Sequence, residues 1–323
     1  MNLRFLAKKI AGSIVLLAGV LVFNFFLFRI VDRDYLAKYR GRSKLTPEQK
    51  EALIRQFGLT GSKWEQFTKY ISNTLQFDFG RSFDSRRLVS DEIIGRLGPT
   101  LLLVGTSTVL TIAIGLWIGI RAGWRRGGAF DSVATPTTMV LYATPEFFLG
   151  MLFLAFLAGR TGWFPTGGVR DVAAHYSGIE AIVDRIHHLV LPVLTLTLGY
   201  LGSYALVMRT SMLDTAGEDY LVTARAKGLR DIEVMRGHAV PNALLPSVSL
   251  IAISFGFIIG GAITTETVFS YPGLGRATYD AIGNSDLPML QALFMFSAAA
   301  VIVFNLAADL LYGVLDPRVR RTA

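Results

Sequence analysis

Across residues 100–120 the chain runs for 21 positions without one charged side chain, and this run constrains the fold more than any motif does. A stretch of roughly 20 apolar residues spans the bilayer core as an α-helix, because in lipid every backbone N–H and C=O must be satisfied within the segment. Comparable runs recur over residues 10–31, 132–158, 189–208, 243–265 and 289–315. The expectation is an all-α polytopic membrane protein with six transmembrane helices. Composition agrees: 52% of residues are hydrophobic and 17% charged, too apolar for an ordinary soluble domain. The net charge of +8 does not call for nucleic acid, since Lys and Arg gather in the cytoplasmic loops of membrane proteins. Without cysteine there is no disulfide framework, thiolate metal site or thiol nucleophile.

Arg4, Lys8 and Lys9 precede the first run. That run exceeds the roughly 7–15 residues of a signal-peptide core and no A-x-A site closes it, so it reads as an uncleaved first helix with a cytoplasmic N-terminus. Residues 1–31 form this first unit, with Asn24 as a hydrogen-bonding residue toward another helix. Residues 32–97 form a small external helical module with two helix starts. Thr46-Pro47-Glu48-Gln49 and Ser62-Lys63-Trp64-Glu65 both follow capping-box logic. The second of these helices would place Trp64, Phe67, Ile71 and Leu75 on one face. Residues 98–323 make up the core domain of helices two to six. Arg121, Arg125 and Arg126 fall where the chain is expected back in the cytoplasm, and the tail with Arg318, Arg320 and Arg321 is expected on that same side.

The third run contains Pro136, Pro145 and Glu146, so its hydrogen-bond ladder is interrupted and a carboxylate lies well inside it. Glu146 is expected to face a translocation cavity and attract a substrate amine, to bond a backbone donor freed by Pro145, or to sit at headgroup depth if the helix starts earlier. Glu266, at the outer end of the fifth run, is expected to order the loop that follows. Ala252, Gly256 and Gly260 recur every four residues, a ridge for close helix packing either within the chain or against a second copy of such a chain. Adjacent His187 and His188 point apart on a helix and argue against a metal site. No G-x-x-x-x-G-K-[ST] and no H-E-x-x-H occurs, so no phosphate-cradling loop and no zinc-hydrolase motif is present.

Residues 211–243 form a polar, basic loop between the fourth and fifth runs, and its pattern is helical. Tyr220, Leu221, Ala224, Gly228 or Leu229, Ile232 and Met235 fall near one face; Glu218, Arg225, Lys227, Arg230 and Asp231 cover the others. Glu218-Asp219-Tyr220, then residues 223–229 (TARAKGL), with Gly228 and Pro241 at a fixed separation, and residues 242–246 (NALLP), resemble the cytoplasmic EAA loop of ABC-type importer permeases of the dipeptide/oligopeptide/nickel branch. Phe77-Asp78-Phe79-Gly80-Arg81-Ser82, Pro145 with Phe147 and Gly150, Glu266-Thr267-Val268-Phe269, Pro272-Gly273-Leu274-Gly275 and Asp316-Pro317-Arg318 are similar to that branch as well, so the resemblance covers essentially the whole chain.

The resemblance implies the type I importer permease fold and a transmembrane subunit that forms half of a translocation path for di- or oligopeptides in the bacterial cytoplasmic membrane, both termini inside. It implies three kinds of partner besides the lipid bilayer: a second homologous permease, two ATP-binding subunits or domains, and an external substrate-binding protein. ATP and Mg would be held by the ATP-binding partners, with no cofactor on this chain, which is then no enzyme itself. The loop would be a coupling helix seated in an ATPase socket. Tyr220, Ala224, Gly228 and Leu229 are the expected contacts, Arg225 and Lys227 the peripheral charges, and Asp219, Ala226 and Pro241 complete the motif. Gly228 reads equally as a site of close approach or as a helix stop. Because the fifth helix lines the path in that family, Ser249, Ser254 and Phe255 join Glu146 as lining candidates. The same machinery would also suit nickel or another small solute. A gradient-driven secondary transporter shares broken helices and a midplane carboxylate, but would show two related halves, and none is visible.

Overall fold

The computed structural model describes residues 3–42, 61–257 and 262–315. Among these the regular secondary structure is helical apart from an isolated bridge between Arg81 and Leu88, with loops between the helices. In chain order the helices are α1 (Leu3–Arg42), α2 (Lys63–Leu75), α3 (Val89–Trp124), α4 (Ala129–Ala143), α5 (Glu146–Phe153), which continues as a π-helical stretch over Leu154–Arg160, and α6 (Gly178–Ala216). Then follow α7 (Asp219–Ala226), α8 (Asp231–Val234) with a π-helical turn over Met235–Ala239, α9 (Val240–Ala243), α10 (Leu245–Phe257), α11 (Ile263–Val268), α12 (Leu274–Gly283) and α13 (Leu287–Leu315).

Four described helices are long and apolar enough to cross a membrane: Leu6–Phe28 within α1, then α3, α6, and Leu287–Ala307 within α13. Ala129–Ala143 and Glu146–Arg160 pass the same test as a pair bent by 97°. The crossing expected over residues 243–265 passes through residues 258–261, which lie outside the described residues, as do the helix start at Thr46, Gly260 and Asp316-Pro317-Arg318.

The bend has a local cause. Pro145 has no N–H to offer α4, and its ring disfavours the helical region for the residue before it. Thr144 accordingly takes φ −84°, ψ 125°, and Pro145 becomes the N-cap of α5. Three helices outrun their apolar cores, α1 among them, which runs from Leu3 to Arg42. α3 begins at Val89 rather than near Thr100, with Asp91 and Glu92 in its first turn, where carboxylates suit the positive end of the helix dipole. α6 covers 39 residues rather than 189–208, because hydropathy marks only the lipid-depth part of a helix while Ile179, Ile182, Val183 and Ile186 continue its spacing upstream.

The chain divides into two compact units, Met1–Gly98 with Gly273–Ala323, and Pro99–Pro272. In the first, Asn24 is buried, and its Nδ2 donates to the Gln291 carbonyl of α13 and to the Tyr70 hydroxyl of α2, both at 3.1 Å. The Phe25 ring lies 5.2 Å from Phe67 and 5.6 Å from Tyr70. The capping box that opens α2 is present: the Glu65 N–H donates to Ser62 Oγ at 3.2 Å and the Ser62 N–H to Glu65 Oε2 at 2.7 Å. Its buried face differs from expectation. Trp64 and Leu75 are exposed and Gln66 is buried, because docking on Phe25 selects which stripe of the short helix turns inward. The Ser82 hydroxyl donates to Asp286, and Asn284 Nδ2 to Asp84 Oδ2 at 3.0 Å, which fastens the segment after α2 to the α12–α13 turn.

In the second unit, α3 meets α6 along Gly115, Gly119 and Gly123. A Cβ on Gly119 would stand 2.6 Å from both the Ala205 carbonyl oxygen and Met208 Cβ, and one on Gly123 would stand 2.6 Å from Met212 Cβ. Gly202 of α6 meets α4 as closely, 2.5 Å from the Thr138 carbonyl oxygen. Without a hydrophobic drive between helices in lipid, such backbone proximity and its dispersion contacts hold the helices together.

Candidate functional site

The loop after α6 folds back onto the helix ends. Met208 and Met212 of α6, Leu221 and Ala224 of α7, Val234 of α8, Ala239 and Ala243 form one buried cluster, with Leu116, Ile120 and Trp124 of α3 packed against it. Leu221 is fully buried, a contribution of about 1.5–3 kcal/mol. Tyr220, Val222, Leu229 and Ile232 remain exposed. The single apolar stripe expected from periodicity is thus split in two, and Ala224, expected to touch a partner, belongs to the inward face. The cause lies at Gly228, whose φ of +83° stops α7 and breaks the helical register. Its N–H donates to the Arg225 carbonyl at 2.9 Å, and a Cβ there would meet nothing within 4 Å. Within the chain, Gly228 serves as a helix stop.

The other motif residues stabilise the same short elements. Asp219 is in the first turn of α7 and Arg225 in its last, each matching the helix dipole; Ala226 ends the helix, and Lys227 is its C-cap. Pro241 sits in the first turn of α9, where a missing N–H costs nothing. Glu233 accepts from the Arg230 N–H at 2.8 Å, and its other oxygen lies 2.7 Å from Arg230 Nη2. The Arg230 guanidinium and N–H hold the Glu233 carboxyl below its ordinary value.

Sequence reasoning missed a partly buried ion pair near the loop. Arg209 of α6 grips Asp131 of α4 in bidentate fashion, Nε to Oδ1 at 2.6 Å and Nη2 to Oδ2 at 2.9 Å. The Gly127 N–H at 2.9 Å and the Thr135 hydroxyl at 2.7 Å complete the shell of Asp131. The available signal was an acid and a base just at the edges of two apolar runs. Also missed were the glycine seam of α3 and Trp124, whose indole Nε1–H donates to Asp231 Oδ2 at 2.8 Å.

At the bend, Glu146 opens α5. Its Oε1 accepts from the Thr264 hydroxyl of α11, while Oε2 is buried with no hydrogen-bond partner among the described residues. A Cβ on Gly199 would lie 3.2 Å from Glu146 Cβ, so α6 passes close behind it. A side-chain hydroxyl therefore takes the place expected for a backbone donor. Ser254 of α10 accepts from the Tyr204 hydroxyl at 2.5 Å and donates to the Leu250 carbonyl at 2.9 Å. The side chains of Ser249, Ala252 and Phe255 lie outside the described residues, as do the surroundings of Gly256. Glu266 is fully buried and accepts from Thr100 Oγ1 at 3.0 Å, and its carbonyl receives the Tyr271 N–H at 2.8 Å, which fixes the start of the following loop. His187 Nε2 lies 2.8 Å from the Trp163 carbonyl oxygen and His188 Nδ1 2.9 Å from that of Asp184, so the two rings do not converge.

Comparison with known proteins matches this arrangement from end to end. The family described as "Binding-protein-dependent transport system inner membrane component" matches residues 113–321, and its N-terminal companion family matches residues 2–104. The chain is 33% identical over 316 residues to the oligopeptide transport system permease protein AppB of Bacillus subtilis, covering 98% of each. It is 32% identical to the dipeptide transport system permease protein DppB of Escherichia coli K12, covering 98% of this chain and 99% of that one. It is 35% identical to the glutathione transport system permease protein GsiC of Salmonella typhi, with the same coverage. Among solved structures, the MetNI methionine ABC transporter shares the fold, with TM-score 0.54 and 18% identity over 69% of this chain and 96% of that one.

Proposed function

Because the chain belongs to the binding-protein-dependent transport system inner membrane components, we propose that it is the permease subunit of an ATP-driven importer of di- or oligopeptides. It pairs with a second homologous permease and is served by two ATP-binding subunits, which hold ATP and Mg, and by an external binding protein. Its termini and the loop at residues 211–243 face the cytoplasm, and residues 32–97 form the external module. The observation that carries this reading is the loop itself, a short helix bedded on the ends of α3 and α6 through Leu221 and Ala224 while Tyr220, Leu229 and Ile232 stay exposed among charges. An apolar patch with flanking charges on a polar loop is what a socket on a soluble partner recognises.

Glu146, together with Ser249, Ser254 and Phe255, is assigned to the wall of the path, and Ala252, Gly256 and Gly260 to the packing of the fifth helix. Glu146→Gln keeps an oxygen for Thr264 but removes the charge. Uptake of peptides with a free N-terminal amine should fall several-fold, while N-acetylated peptides are unaffected; equal uptake of both sinks the role of Glu146.

The whole reading is tested by co-purifying the chain with its partners and measuring labelled dipeptide uptake into proteoliposomes. Uptake should require ATP, the ATP-binding partner and the binding protein. Transport by the purified chain alone, driven by an ion gradient, would overturn it.

A further inference from the structure

We infer that Trp124 is a positioning residue that ties the coupling loop to α3, so that a displacement of α7 is handed to the α3–α6 pair; this rests on the permease reading above. Trp124 is the last residue of α3. Its indole Nε1–H donates to Asp231 Oδ2 at 2.8 Å, and the Arg225 guanidinium carbon lies 5.6 Å from the centre of its ring. Arg225 is in the last turn of α7 and Asp231 is the first residue of α8. One side chain therefore holds both arms of the turn, on either side of Gly228. The same ring packs against the buried cluster that contains Leu221 and Ala224.

The residue before it is fastened just as firmly. A Cβ on Gly123 would stand 2.6 Å from Met212 Cβ and 2.8 Å from the Arg209 carbonyl oxygen, so the end of α3 cannot shift toward α6. Apolar burial of Leu221 and Ala224 is non-directional and tolerates sliding. The indole hydrogen bond and the cation–π contact are directional, and they are what fixes the loop's angle and register on the helix ends. A push on Tyr220 or Leu229 from outside must then either break these two contacts or move α3 with the loop.

The test uses the full complex in proteoliposomes and reads peptide imported per ATP hydrolysed. Trp124→Phe keeps a ring beneath Arg225 and removes only the donor; Asp231→Ala removes the acceptor, and Asp231→Asn keeps an acceptor oxygen. Trp124→Phe and Asp231→Ala should each lower the import-to-hydrolysis ratio about fivefold, the scale of one ordinary hydrogen bond at an exposed site. Asp231→Asn should stay near wild type, and the double variant Trp124→Phe/Asp231→Ala should be no worse than either single one. Wild-type ratios in both single variants overturn the inference, as does a parallel fall of import, hydrolysis and complex yield with the ratio unchanged. If the wild-type complex itself shows no ATP-dependent import, the permease reading fails instead.

Discussion

The glycine seam between α3 and α6 predicts opposite outcomes for one substitution at two positions of the same helix. Gly→Ala in a helix interior is worth about 0.8–1.0 kcal/mol in propensity wherever space allows. At Gly105 a Cβ meets nothing within 4 Å, so Gly105→Ala should stabilise the protein by up to that amount. At Gly119 the new Cβ would stand 2.6 Å from the Ala205 carbonyl oxygen and from Met208 Cβ, and 2.9 Å from the Arg209 nitrogen. Two of these three are backbone atoms of α6, which cannot rotate away. The helices must part by roughly 0.8 Å to restore ordinary contact, and overpacking of this kind costs about 1–3 kcal/mol. The net effect at Gly119 is then a loss of about 0–2 kcal/mol, so the two variants should differ by about 1–3 kcal/mol. The assay is the thermal unfolding midpoint of each purified variant in the same detergent, with peptide uptake measured alongside. A Gly119→Ala variant as stable as Gly105→Ala would refute the tight seam.

Two further perturbations address other contacts. Arg209→Ala leaves the Asp131 carboxylate with only Gly127 and Thr135 and, at this partly exposed site, should cost about 1–3 kcal/mol. The pair Asp131→Leu/Arg209→Met should recover much of that in the same unfolding assay, and a single variant with an unchanged midpoint would count against the pair. Gly228→Asp places a side chain at φ +83°, a strain of about 1–2 kcal/mol. Since a Cβ there meets nothing within 4 Å, membrane insertion should be normal while ATP hydrolysis and uptake part company; normal uptake in that variant would remove Gly228 from the coupling motif.

Much of the membrane architecture was legible in the chain because burial in lipid leaves a strong, local signature. Uncharged runs such as residues 100–120 mark helices, Pro145 marks a break, and Ser62 with Glu65 marks a helix start, each through forces acting within a few residues. The loop over residues 211–243 was legible as a motif for the same reason, since Gly228 and Pro241 do their work on their own turns. What the loop's faces would touch was not legible. Tyr220, Leu221 and Ala224 look alike to a periodicity argument, and only the cluster built by Met208, Met212 and Val234 decided that Leu221 and Ala224 turn inward while Tyr220 stays out.

The same division explains Trp64, which helical spacing alone placed on the buried face of α2 and docking on Phe25 left exposed. Gly115, Gly119 and Gly123 carry the same four-residue spacing as Ala252, Gly256 and Gly260, yet spacing cannot say which ridge finds a partner. Asp131 with Arg209, Glu146 with Thr264 and Trp124 with Asp231 are pairs far apart in the chain, separated by 78, 118 and 107 positions. The sequence by itself determined where the chain is apolar enough to be helix in lipid and where its backbone must turn. Tertiary structure alone decided which polar groups meet, because hydrogen bonds and ion pairs act over a few ångströms and report nothing along the chain until packing brings their partners together.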